Sequence, residues 1–311
     1  MLLYISSQGF KPAPSVTGYF GTVKPDPNFN AQNDAAKLKK AIETKGVDEA
    51  TIVEVIAKRS NAQRQQIKAA YQQSAGKALA ADLKKALKSD FEEVVLALLM
   101  TPPEYDAFEM KRAMKGIGTN EAVLNEILGT RSNKEITALK NTYKEGKRKI
   151  YKHTVHVLTV SDFAMLLFQA LFEAGENRIG TVCSVLIDIL TNRSEAQLYK
   201  IFQYYGQLSK DSLAKDLEGE LHGSFEDCLM TLVKGALNKP AYFAERLHLA
   251  MKGLGTNTDT LTRIIVSRSE IDLLKIMQEY KRMYGKSLQE DILKETSGDY
   301  EKIMMTLCGT P

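Results

Sequence analysis

Cysteine is scarce in this 311-residue chain: Cys183, Cys228 and Cys308 are scattered, odd in number and without a Cys-x-x-Cys pair. That excludes a disulfide scaffold, argues against zinc and describes reduced, mostly buried thiols. Histidine is equally sparse, with four residues (His153, His156, His222, His248) and no spacing that pairs one with a nucleophile, so no enzyme is expected. There is no Asp-x-Asp-x-Asp-Gly run, which excludes an EF-hand. No apolar run reaches the roughly 18 residues of a membrane-spanning helix. The opening Met1-Leu2-Leu3-Tyr4-Ile5 is too short and lacks the basic flank of a signal peptide, so the cytoplasm is the expected compartment. Charge of one sign is also lacking. The 42 basic and 38 acidic side chains leave +4, too mild an excess to predict a nucleic-acid partner.

Proline is unevenly placed. Pro12, Pro14, Pro25 and Pro27 are four of the eight, and Gly9, Gly18 and Gly21 lie among them. Residues 1–33 therefore cannot easily propagate a helix and read as a mobile N-terminal arm. A protein partner held by a Leu2/Leu3/Ile5 tip is the alternative to a poorly ordered terminus.

The rest of the chain repeats. Arg-Ser-x-x-(Gln/Glu/Asp) occurs at Arg59, Arg131, Arg193 and Arg268, in the pattern of a helix capping box. Twelve residues after each Arg stands Tyr71, Tyr143, Tyr205 or Tyr280. Further columns hold Leu83, Val155, Leu217 and Ile292; Asp90, Asp162, Ser224 and Asp299; and Phe91, Phe163, Phe225 and Tyr300. The apolar period is helical, as in Ile52, Val55 and Ile56 or Leu124, Ile127 and Leu128, and no stretch alternates like a strand. The expectation is an all-α chain of four copies: 34–101, 102–163, 164–235 with a shortened start, and 236–311. The Arg-to-Arg intervals are 72, 62 and 75. The short middle one leaves room for one apolar run, Phe163–Phe172, so one helix is expected to be missing or fused there.

Met-Lys-Gly-x-Gly-Thr occurs as Met114–Thr119 and Met251–Thr256, with a looser Gly175…Gly180-Thr181 in copy three. Such glycines let several carbonyl oxygens turn toward one point. Carbonyl oxygens are hard ligands suited to calcium, which takes roughly six to eight oxygens. They bring no net charge, so a carboxylate must come from elsewhere. Forty residues beyond the second Gly stand Glu220 (copy three) and Glu295 (copy four), whereas copies two and one have Leu158 and Ala86. Copy one's Lys45-Gly46-Val47-Asp48-Glu49 lacks the second Gly. A helix–helix turn with ordinary glycines is the plainer reading of each loop alone. No strand precedes the glycines, which excludes a nucleotide fingerprint. The run Lys147-Arg148-Lys149 reads as a solvated face, with a phosphate or heparin patch as the alternative.

These loops, the four copies and the distal acids resemble the annexin family over about residues 34–311. The resemblance implies about five helices per copy, a curved disc with calcium loops on its convex face, and Ca2+-dependent binding to anionic phospholipid membranes. It implies main sites at Met251, Gly253, Gly255 and Glu295, and at Gly175, Arg178, Gly180 and Glu220. Met114, Gly116, Gly118, Thr119 and Glu121 match the loop of a third. Minor sites would use Gly46, Val47 and Glu49; Lys84, Leu87 and Glu92; Glu218 and Leu221; and Leu293 and Thr296. Family roles in membrane aggregation, vesicle traffic and phospholipase A2 inhibition are implied too, as are nuclear or extracellular pools. Residues 1–30 do not resemble a family arm that docks a small calcium-binding partner. The alternative function is a helical-repeat interaction scaffold with vestigial calcium sites.

Overall fold

The computed structural model describes residues 18–116, 118–148, 189, 193, 195–208 and 223–309. Among them every regular element is a helix. In chain order these are α1 (Ala31–Glu43), α2 (Glu49–Ala57), α3 (Asn61–Ala75), α4 (Leu79–Ala86), α5 (Ser89–Leu98), α6 (Pro102–Ala113), α7 (Glu121–Thr130), α8 (Asn133–Arg148), α9 (Glu195–Leu208), α10 (Gly223–Ala250), α11 (Thr258–Arg268), α12 (Leu273–Tyr284), α13 (Leu288–Glu295) and α14 (Gly298–Leu307). The chain divides into two compact units, one built from 16–102 with 243–311 and the other from 1–15 with 103–242. No described helix is long and apolar enough to cross a membrane.

The first unit holds copies one and four. Copy one is α1–α5, five helices whose inward stripes (Leu38, Ile52, Ile56, Ile67, Leu83, Val94, Val95) are fully buried. Copy four runs from the end of α10 through α14 and buries Phe243, Leu261, Ile264, Ile265, Ile276, Ile292 and Ile303 equally. Each such side chain contributes about 1.5–3 kcal/mol of transfer free energy, before the ordering cost. In the second unit, α6, α7 and α8 close on Met110, Leu124, Ile127, Ile136 and Leu139. Helix α10 is two helices joined at Asn238, whose backbone is non-helical and whose side chain accepts the Ala241 N–H at 3.1 Å, with Pro240 in the new first turn.

The repeated columns are mostly structural. Tyr71 donates to Asp82 at 3.0 Å, and Tyr280 makes the same bond to Asp291, so each tyrosine pins the fourth helix of its copy to the third. Arg59 and Arg131 each grip, through two bonds, an Asp 25 positions earlier on the first helix of the copy, Asp34 and Asp106. Capping boxes form at Ser60/Gln63 and at Ser132/Glu135.

The fourth box does not form. The residue 25 positions before Arg268 is Phe243, not Asp, and the guanidinium lies over that ring at 4.8 Å. Its carboxylate partner is Asp272 instead, at 2.7 Å through two bonds. Asp272 is therefore taken, and one methylene too short to reach back. Ser269 continues the C-terminal end of α11, its hydroxyl on Val266 O. Most of the box after Arg193, the short link with its single apolar run Phe163–Phe172, Cys183 and the Lys149 end of the basic run lie outside the described residues. Cys228 and Cys308 are buried thiols without a disulfide.

The described part of the arm is extended, as its prolines require, but it is pinned. Thr22 and Val23 both donate backbone N–H to Ser269 O, Leu274 N donates to Phe20 O, and Asp26 exchanges two bonds with Gln63. The expectation of a loose arm is corrected for residues 18–30; these contacts join residues far apart in sequence, which local composition does not encode.

Candidate functional site

Helix α10 unwinds after Ala250. Met251 N reaches back only to His248 O (3.2 Å), and the chain passes through Gly253 and Gly255 at φ +107° and +85°. A Cβ at either would meet no atom within 4 Å, so the left-handed backbone alone demands glycine. The loop closes where Asn257 N donates to Ala250 O at 2.8 Å, and Asn257 Oδ1 then caps α11 through Thr260 N at 2.9 Å. Thr256 Oγ1 donates to Glu295 O at 3.0 Å, fastening the loop to the last residue of α13. Met251 is buried and supplies only backbone, while Leu254 at the tip is fully exposed.

The electrostatics favour a cation. The loop and Glu295 both lie at helix C-termini, where unsatisfied carbonyls carry the negative end of the helix dipole. A carboxylate there is held best by positive charge, and Lys294 Nζ stands at 3.1 Å from Glu295 Oε1. The oxygens this loop can offer a cation are backbone carbonyls, with the Glu295 carboxylate on the helix end to which Thr256 ties it. No cluster of three His, Cys, Asp or Glu occurs among the described residues, so a metal here would rely on backbone oxygen, the chemistry of calcium.

Copy two repeats the loop. Asn120 N donates to Ala113 O at 2.8 Å, Gly116 and Gly118 have φ +108° and +89°, and Asn120 caps α7. Thr119 and Glu121 follow at the start of α7, and Met114 is exposed where Met251 is buried. Leu158 lies outside the described residues.

Copy one closes with the same bond, Asp48 N to Ala41 O at 3.0 Å. That bond sets the register: Gly46 (φ +90°) stands where Gly118 and Gly255 stand, and Thr44 replaces the first glycine. Copy one therefore lacks the first glycine, not the second as its Lys45-Gly46 pair suggests, because the closing backbone bond sets the register. Val47 N donates to Thr44 O at 2.9 Å, which engages one loop carbonyl. Both oxygens of Asp48 serve Thr51, and the hydroxyl and amide of Thr51 hold the Asp48 carboxyl below its ordinary range. Ala86 ends α4 where Glu295 ends α13.

Of the minor-site residues, Gly46, Val47, Glu49 and Leu87 line one hollow of about 570 Å³ with Asp90 and Asp299. Lys84 and Glu92 do not line it. Leu293 is exposed, and Thr296 Oγ1 donates to Ile292 O at 2.6 Å. Gly175, Arg178, Gly180, Glu218, Glu220 and Leu221 lie outside the described residues. Two features escaped the sequence reading: the Asx cap two residues after the glycine in Asp48, Asn120 and Asn257, and the tie from Thr256. The first was visible as a column.

A family model described as Annexin matches residues 33–98, 105–156, 168–232 and 242–307. The chain is 50% identical to human annexin A1 over 309 aligned residues, covering 92% of this chain and 89% of that protein. Among solved structures, annexin III superposes with a TM-score of 0.81 at 39% identity, covering 96% of this chain and 99% of that one. Calcium-bound annexin (Sm)1 gives 0.79 at 29% identity, with 97% and 96% covered.

Proposed function

The chain belongs to the annexin family, and we propose on that premise that it binds anionic phospholipid membranes in a calcium-dependent manner. The observation that carries the reading is copy four's glycine loop, fastened by Thr256 to the helix end that bears Glu295. There the carbonyls of Met251, Gly253 and Gly255 and the Glu295 carboxylate would hold the ion. By position, Gly175, Arg178, Gly180 and Glu220 would do the same in copy three. Met114, Gly116 and Gly118 form a loop without the distal acid. Bound calcium supplies positive charge that lipid phosphate can approach.

The protein's own part is to aim oxygens outward at a surface and to leave the site incomplete in solution. One carboxylate per site makes for weak binding alone, and several sites on one chain add by avidity. Leu254, fully exposed at the tip, would enter the headgroup boundary as the loop docks. Membrane aggregation, vesicle traffic and phospholipase A2 inhibition would follow from covering or bridging lipid surfaces, not from catalysis. The protein would then be peripheral at membranes.

Co-sedimentation with phosphatidylserine vesicles tests the reading. The protein should pellet with calcium and return to the supernatant with chelator. Pelleting that chelator does not change at physiological salt, or no pelleting at all, would instead favour the interaction-scaffold reading.

A further inference from the structure

From α6 into the loop that follows it runs a stripe at helical spacing: Phe108 and Lys111, both exposed, the half-buried Arg112, and the exposed Lys115 two residues past the helix end, at positions i, i+3, i+4 and i+7. It runs straight into the copy-two loop, where Met114 is also exposed. The closing bonds from Asn120, Asp48 and Asn257 align this helix with its counterparts. The same four positions hold Ala36, Lys39, Lys40 and Glu43 in copy one, and Glu245, His248, Leu249 and Lys252 in copy four. Among these described copies, only copy two combines an aromatic with three cations and no acid.

The cations are already arranged for presentation. Lys111 Nζ lies over the Tyr143 ring at 5.3 Å. Arg112 lies over Phe108 at 5.9 Å and pairs at 3.1 Å with Glu109, whose own side chain is buried. That pairing leaves the two lysines as the main source of positive potential. Glu104, an exposed acid on the same helix, stands seven residues before Lys111, about 10 Å along the axis at 1.5 Å per residue. A basic stripe with Phe108 at its start and Met114 beside its last lysine matches what an anionic bilayer surface recognises: phosphate for the cations and the headgroup boundary for the apolar side chains.

We infer that copy two contacts anionic lipid headgroups through this stripe without calcium, as a second and electrostatic anchor beside the calcium loops. The inference rests on the membrane reading above but uses side-chain charge, not the ion. It compensates in the copy whose loop has Leu158 at the acid's offset. The contact should be sensitive to salt, because exposed charges are screened within a Debye length.

The test uses the full chain, vesicles of phosphatidylserine with phosphatidylcholine, and chelator throughout. At an ionic strength on the order of 10 mM, wild type should show binding that fades as salt rises and is absent on pure phosphatidylcholine. Lys111→Gln with Lys115→Gln should weaken this binding roughly 25-fold, at about fivefold per lysine near an anionic surface. The Lys→Arg pair should restore it. Unchanged helical signal and melting temperature would show that the Gln pair folds. Two results would overturn the inference: no chelator-resistant binding by wild type, or equal binding by wild type and the Gln pair. Retention on a sulfated polysaccharide with no vesicle binding would overturn it too. Calcium-driven pelleting of the Gln pair reports on the membrane reading separately, so the failure of one is distinguishable from the failure of the other.

Discussion

Copies one and four share a loop and differ in what it can hold. Both close seven residues back with one backbone bond, Asp48 N to Ala41 O and Asn257 N to Ala250 O. Both keep a left-handed glycine two residues before the capping side chain, and both end the fourth helix at the equivalent place. Copy four has a second glycine and Glu295; copy one has Thr44 and Ala86. The loop backbone is therefore common to both copies, while the proposed ligand set is not. The shared loop features are a closing bond, a cap and one glycine, and the proposed ion site adds two further residues that copy one lacks.

That separation can be broken from either side. The largest effect should come from Glu295→Gln, which removes the charge and keeps the shape. The calcium needed for vesicle binding should rise roughly tenfold or more, since even indirect partners of metal ligands are worth about 10–100-fold. Melting temperature should hardly move. Adding Glu220→Gln should extend the rise.

The converse graft, Thr44→Gly with Ala86→Glu, should give copy one an ion site. The calcium midpoint of vesicle binding should fall a few-fold, because an added weak site contributes through avidity. An unchanged midpoint would mean that more than two residues separate the copies.

The shared part of the loops should respond alike. Gly255→Ala and Gly46→Ala each force a Cβ onto a left-handed backbone with open space around it. Each should cost about 1–2 kcal/mol in denaturant unfolding. Only Gly255→Ala should also raise the calcium requirement.

The smallest effect concerns the caps. Ser60→Ala removes a formed capping box and should cost about 1 kcal/mol. Ser269→Ala should cost less, because that hydroxyl serves only Val266 O at a helix end. Equal costs would contradict the reading of the fourth junction.

The four copies, the helical class and the loops were legible because each is written in local spacing: the Arg, Tyr and Phe columns, the period of three and four, and the paired glycines. The Ala86/Glu295 equivalence was legible as a fixed offset. What escaped was set by partners distant in the chain. The fourth capping box fails because Phe243 stands where an Asp would engage Arg268. Gly46 was assigned the wrong register because a backbone bond, not a side chain, closes its loop. The segment from Gly18 to Asn30 looked loose because its anchors, Ser269 and Gln63, lie far from it in sequence.

The most direct test of the central claim is a crystal structure grown with calcium at a concentration that supports vesicle binding. The account predicts an ion in the copy-four loop, held by the carbonyls of Met251, Gly253 and Gly255 with the Glu295 carboxylate turned from Lys294 onto it, and no ion held in that way in copy one, whose Gly46, Val47 and Glu49 could offer only a lesser site. An empty copy-four loop under those conditions, or an ion held without Glu295, would contradict it.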